Sequence, residues 1–152
     1  MAEPARPTGQ QIPRSETAPP GGPRPSRAQE FREILFELVR LDGVRGGLMV
    51  TPDGLVITSE LPPRFPVEAL AALAATLGRQ LEVGAERLGR GGFRTALFSS
   101  DDGTVFLGGS PVGYLILLGD RNVNLASVRL ALRKGVDRLQ GTWKTPAAAG
   151  AA

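Results

Sequence analysis

Apolar residues recur in this chain with two different periods, and the changes of period mark its elements. Phe31, Ile34, Leu35, Leu38 and Leu41 stand three or four apart, as on a helix with one buried side. Ser26-Arg-Ala-Gln29 precedes them with capping-box spacing, which makes Ser26 the expected N-cap and Gln29 the third helical residue. Gly43 stands where a glycine closes a helix. Residues 44–50 and 55–59 then read as strands around Thr51-Pro-Asp-Gly54. In that turn proline presets φ and glycine accepts the left-handed exit. Beyond the stiff Leu61-Pro-Pro-Arg-Phe-Pro66, a long helix is predicted over residues 66–88, with Pro66 at its first position. Leu70, Leu73, Leu77, Leu81 and Leu88 mark one face of it, and Ala71, Ala74, Ala75, Gly78 and Ala85 place small residues around that face.

Gly89-Arg-Gly-Gly92 ends this helix. Residues 93–99 and 104–109 read as strands around Ser100-Asp-Asp-Gly103, an Asp-Gly hairpin signal. Tyr114-Leu-Ile-Leu-Leu118 is apolar without alternation, which predicts a central strand covered by helices on both faces of the sheet. A closing helix over residues 124–139 carries Leu125, Val128, Leu132, Val136 and Leu139, capped by Asn122 or Asn124. The order is α-β-β-α-β-β-β-α. About 110 residues take part, enough for one core. Three regions are expected: a disordered Pro-rich tail over 1–27, a domain over 28–140, and a disordered small-residue tail over 141–152. The first tail holds seven of the 13 prolines and no aromatic residue, so it has little apolar surface to offset its ordering entropy. Pro19-Pro-Gly-Gly-Pro-Arg-Pro25 has the composition of a ligand for proline-recognising grooves, but a solvated tail is the expected reading.

Composition argues against catalysis. The 152 residues include no histidine and no cysteine. The commonest general base, the commonest metal ligand and the thiol nucleophile are therefore missing, and no metal or cofactor is expected. Gly109-Ser-Pro-Val-Gly113 lacks the second glycine of a nucleophile elbow, so Ser110 is expected in a turn. Asp101, Asp102 and Asp53 read as turn residues rather than paired catalytic carboxylates. No phosphate-binding loop of the Gly-x-x-x-x-Gly-Lys-Ser/Thr kind occurs. Arg45-Gly-Gly47 and Arg90-Gly-Gly92 are isolated triplets beside strands, not an RNA-binding low-complexity run. A net charge of +3 is too weak to argue for nucleic acid. Arg121, Arg129, Arg133, Lys134 and Arg138 form a basic stretch, either a solvated helix face or a patch for an acidic partner. Met1-Ala-Glu-Pro4 opens without the basic and apolar regions of a secretory signal, and no apolar run approaches the roughly 20 residues of a membrane span. A cytoplasmic protein without membrane insertion is expected.

Taken together, residues 44–59, Val112-Gly-Tyr-Leu-Ile-Leu-Leu-Gly119 and Asn122-Val-Asn-Leu-Ala-Ser-Val-Arg-Leu-Ala-Leu-Arg-Lys134 resemble the Roadblock/dynein light chain family. That family includes the bacterial MglB-like regulators of Ras-like GTPases. The resemblance covers about residues 28–139. It implies an α/β (α+β) fold of Roadblock, profilin-like type, with one five-stranded antiparallel sheet in the order 2-1-5-4-3. It also implies a homodimer in which third strands join edge to edge and second helices lie side by side. On that basis Ala71, Ala74, Ala75, Gly78, Phe93, Arg94, Thr95, Ala96, Leu97 and Phe98 are expected at the dimer seam. Arg79, Glu82, Glu86 and Arg87 are expected to meet a small Ras-like GTPase, with Arg129 and Arg133 next in line. The implied function is non-enzymatic regulation of that GTPase, most directly of its GTP hydrolysis. Arg79 or Arg87 would act as an arginine finger, or the partner's own residues would be reoriented. The rival readings are a dimeric scaffold or light-chain-like adaptor that leaves turnover unchanged, and a small-molecule sensor. The sensor reading lacks convergent polar groups on an apolar face.

Overall fold

A computed structural model describes residues 26–151, with side chains to residue 141. The Pro-rich stretch expected as a tail lies outside the described residues as far as residue 25. Three helices and five strands follow in the expected order: α1 (Arg27–Val39), β1 (Val44–Val50), β2 (Val56–Glu60), α2 (Val67–Arg87), β3 (Thr95–Ser100), β4 (Gly103–Ser110), β5 (Gly113–Gly119) and α3 (Leu125–Ala151). The strands form one antiparallel sheet in the order β2-β1-β5-β4-β3, the order that the resemblance implied.

Local chemistry sets the boundaries. The Ser26 hydroxyl accepts from the Gln29 amide at 3.1 Å, supplying a partner for one amide of the first turn of α1. Asn124 is the residue that caps α3, its side-chain oxygen accepting from the Ser127 amide at 2.9 Å. Pro66 stands one place before α2 as its N-cap rather than at its first helical position. Between β1 and β2, the Thr51 hydroxyl donates to Asp53 at 2.6 Å and accepts from the Leu55 amide at 3.0 Å. Gly54 there takes φ +93°, which a residue with a Cβ adopts only under strain. Helix α3 runs beyond the end near Leu139 that its apolar spacing predicts.

The sheet is buried on both faces, and β5 shows why its sequence does not alternate. Leu115 and Leu117 belong to a cluster with Ile34, Leu35 and Leu38 of α1 and Leu132 and Leu139 of α3. Tyr114 and Ile116 belong to a second cluster with Leu48 and Val50 of β1 and with Ala71 and Ala74 of α2. Side chains point alternately to the two faces, but both faces are apolar. So α1 and α3 cover one side and α2 alone covers the other. Among the described residues three ion pairs at the surface (Arg45–Asp120, Arg94–Asp137 and Arg138–Glu37) link elements. Pairs of that kind contribute at most about 1 kcal/mol each.

Candidate functional site

Helix α2 is apolar on more than one side, and the structure reverses the expected assignment of those sides. The small residues face inward: Ala71, Ala74, Ala75 and Gly78 are buried against the chain's own sheet. The cause is Tyr114. A Cβ on Gly78 would stand 2.4 Å from the tyrosine ring, so the helix axis approaches the sheet closely only where side chains are minimal. These four residues are therefore not free to form a dimer seam. Helical spacing alone does not say which of the two rows faces the sheet, whereas the bulk of Tyr114 on β5 admits only the small residues there.

The leucines are displaced to one flank. Leu70 and Leu77 are half-buried against the cluster of Tyr114, Leu107 and Ile116. Leu73 is 51% exposed, Leu81 37% and Leu88 76%. Leu70, Leu73, Leu77 and Leu81 recur at three- and four-residue steps along one flank of α2, and Leu88, its C-cap, follows seven residues on. Exposed apolar side chains grouped on one flank, rather than scattered singly, are a feature of interaction surfaces.

The opposite flank of α2 is tied down. Arg79 donates to the Pro52 carbonyl at 2.6 Å, joining the helix to the β1–β2 turn. Glu82 accepts from the Tyr114 hydroxyl. Burial and the Glu82 carboxylate together push the Tyr114 phenol well above its ordinary range, against a smaller opposing pull from Arg79. Asp53 is shifted the other way: the Thr51 hydroxyl and its own backbone hold its carboxylate below the usual value, with Arg79 adding a smaller effect. Of the four residues expected to meet a partner, Arg79 and Glu82 thus have intramolecular roles, while Glu86 and Arg87 project from the last turn of α2 into solvent.

The far edge of the sheet completes this surface. Among the described residues β3 pairs only with β4, so its outer edge has no strand partner among them. Thr95, Ala96, Leu97 and Phe98 lie on this edge strand as expected, and Phe98 is 49% exposed. Phe93 and Arg94 do not; they precede the strand. Phe93 folds back against the cluster under α2, beneath Gly109, and Arg94 donates to Asp137 of α3 at 2.9 Å. Two grooves border this corner. One is lined by Phe93, Arg94, Thr95, Arg129 and Arg133, and the other by Glu82, Phe93, Ser110 and Gln140. The Ser110 hydroxyl donates to the Gly113 carbonyl at 3.1 Å, a turn contact. Among the described residues no cluster of three or more His, Cys, Asp or Glu is placed to hold a metal ion. Nor is any helix among them long and apolar enough to cross a membrane.

Comparison with known proteins bears on the same elements. The Roadblock/LC7 domain pattern matches residues 30–118, which is more than half of the chain. An uncharacterised protein of Methanocaldococcus jannaschii, MJ0714, is 31% identical over 110 residues, covering 72% of this chain and 93% of that one. That relative is archaeal, so likeness at this level is not confined to bacteria. Myxococcus xanthus MglB superposes with a TM-score of 0.71 at 18% identity, covering 78% of this chain and 90% of its own. A Roadblock/LC7 domain from Streptomyces avermitilis gives 0.65 at 20% identity, covering 74% and 96%. At such identities the structural likeness concerns the fold. With the element order, the strand order and the sequence pattern in agreement, this chain belongs to the Roadblock/LC7 domain family.

Proposed function

We propose that this chain pairs with itself and that the pair binds a small Ras-like GTPase and changes its rate of GTP hydrolysis. The observation that carries this reading is the outer flank of α2, where Leu73, Leu81 and Leu88 are exposed although the fold has no use for them there. Beside it lies the bare edge of β3 with Phe98. An unpaired apolar edge strand is an aggregation hazard in a lone domain, and pairing with a second copy removes it. The seam then consists of residues 95–98 of β3 together with the leucine flank of α2.

In this reading the paired second helices form the surface that meets the GTPase, and the charged groups available on it are Glu86 and Arg87. Arg87 is the better candidate for an arginine finger, because Arg79 is already engaged by Pro52. Such a finger accelerates hydrolysis by about 10³–10⁵-fold where it operates. The alternative within this reading is a pair that reorients the GTPase's own residues. The chain itself, without histidine, cysteine or a phosphate-binding loop, is expected to hydrolyse no nucleotide.

The test is GTP hydrolysis by a candidate small Ras-like GTPase, measured with and without the protein. Accelerated hydrolysis that is lost in Arg87→Ala supports the finger. Acceleration retained in that variant supports reorientation. Binding with equal affinity to the GTP- and GDP-loaded forms removes the regulatory reading and leaves a dimeric scaffold, since only a protein that discriminates two states can shift them.

A further inference from the structure

The two ends of β3 carry opposite charge. At its start, Arg94 and the α3 residues Arg129 and Arg133 line one groove with Phe93, Thr95 and Ala85. Arg94 is paired with Asp137, but no ion pair within the described residues neutralises Arg129 or Arg133. At its other end, β3 turns into β4 through Asp101 and Asp102, both exposed and with no cation paired to them among the described residues. Within one chain these two sites lie at opposite ends of a six-residue strand and cannot meet.

A two-fold axis brings them together. If two copies of β3 pair antiparallel about the strand's midpoint, between Leu97 and Phe98, Thr95 lies opposite Ser100. Beyond the strand ends, the same register sets the turn of Asp101 and Asp102 of one copy beside the Phe93 and Arg94 that precede β3 of the other. Directly opposed residues in an antiparallel pair have Cβ atoms roughly 5 Å apart, and diagonal neighbours remain within reach of an arginine. We infer that the groove of Arg94, Arg129 and Arg133 receives the Asp101-Asp102 hairpin of a second copy of this chain. This inference rests on the self-pairing proposed above and deepens it.

The contact fixes register. Backbone bonding along β3 is compatible with slipped pairings, because its sequence, Thr-Ala-Leu-Phe-Ser-Ser, is short and has little to distinguish one register from the next. A slip of two residues draws each hairpin away from its groove and leaves two aspartates and two arginines unpaired at each end of the seam. The midpoint register alone satisfies both ends at once. Charge thus selects the alignment while apolar burial of Phe98 and the α2 leucines supplies most of the association energy.

Sedimentation equilibrium of the full chain tests this with two double variants. Asp101→Arg with Asp102→Arg sets a basic hairpin against a basic groove at each contact, and Arg129→Glu with Arg133→Glu sets the acidic hairpin against glutamates. Each variant alone is expected to dimerise roughly tenfold or more weakly than the parent. An equimolar mixture of the two should regain parent-like pairing, because in the mixed dimer an arginine hairpin meets a glutamate groove while an aspartate hairpin meets an arginine groove. Recovery on mixing also shows that both variants are folded. Variants that dimerise as tightly as the parent, or a mixture that recovers nothing, overturn the hairpin-to-groove contact and leave the dimer itself standing. A parent that stays monomeric at micromolar concentration overturns the dimer reading from which this one descends.

Discussion

The Tyr114 hydroxyl donates to the Glu82 carboxylate, so the central strand is bonded to the one helix that covers its face. Tyr114 is also the residue whose ring leaves no room for a Cβ at Gly78. One side chain therefore sets both how close α2 lies and which way it is turned.

This bond predicts a loss of stability in alkali. Tyr114 is the only tyrosine, and its phenol is raised above the ordinary value of 10.0 by burial first and by Glu82 second. Below pH 10 the phenol is protonated in both folded and unfolded chains, and its contribution is fully present. As pH rises past 10 the unfolded chain releases a proton that the folded chain keeps, so stability falls until the folded phenol also ionises. Denaturant melts between pH 9 and pH 12 should show this decline, and Tyr114→Phe should flatten it. An unchanged slope in the variant would place the alkaline sensitivity elsewhere.

The close approach at Gly78 predicts a second effect. Gly78→Ala gains about 1 kcal/mol of helix propensity but inserts a methyl into the tyrosine ring. Overpacking typically costs about 1–3 kcal/mol, so the net change is destabilising. Gly84, with open space around its Cα, is the control: Gly84→Ala should stabilise by roughly the propensity term. Urea unfolding of the two variants reads both signs.

The two flanks of α2 separate folding from pairing. Leu73→Glu and Leu81→Glu should weaken self-association while changing the stability of the lone domain by no more than about 0.5 kcal/mol. Ala74→Leu, in contrast, forces bulk under the helix and should lower unfolding free energy by about 1–3 kcal/mol. Light scattering and chemical denaturation together decide this. Leucine variants that unfold the domain would return that row to the core.

Arg79 offers a fourth test. Replacing it with alanine removes its bond to Pro52 and should destabilise by about 0.5–1.5 kcal/mol, whereas Arg87→Ala should leave stability unchanged. If the proposed function holds, GTPase affinity will respond in the opposite order, with Arg87 the more sensitive position.

Much of the fold was legible because turns and periods carried it. Ser26, Thr51-Pro-Asp-Gly54 and the unbroken apolar run of β5 each predicted their local structure, and β1 and the sheet's centre followed. The orientation of α2 was not legible. Leucine and alanine rows both repeat at helical spacing, and only the tyrosine standing on a strand more than thirty residues away selects between them. The same distance hid the intramolecular roles of Arg79 and Glu82, since nothing near them in sequence announces Pro52 or Tyr114 as partners. Phe93 and Arg94 were misplaced for a local reason: their β-like composition continues that of β3, but their side chains are drawn to Gly109 and Asp137. The assignment of a GTPase came from family resemblance and has no counterpart in spacing or charge.

The inward turn of the small residues has an evolutionary consequence. Because Ala71, Ala74, Ala75 and Gly78 do the packing, substitutions there are policed by Tyr114. The outward leucines and the charges beyond them are under no such policing, so they can drift without endangering the fold. A duplicated copy of this chain could acquire a new binding preference by changing that outer row alone, and the inner row would keep the scaffold intact throughout.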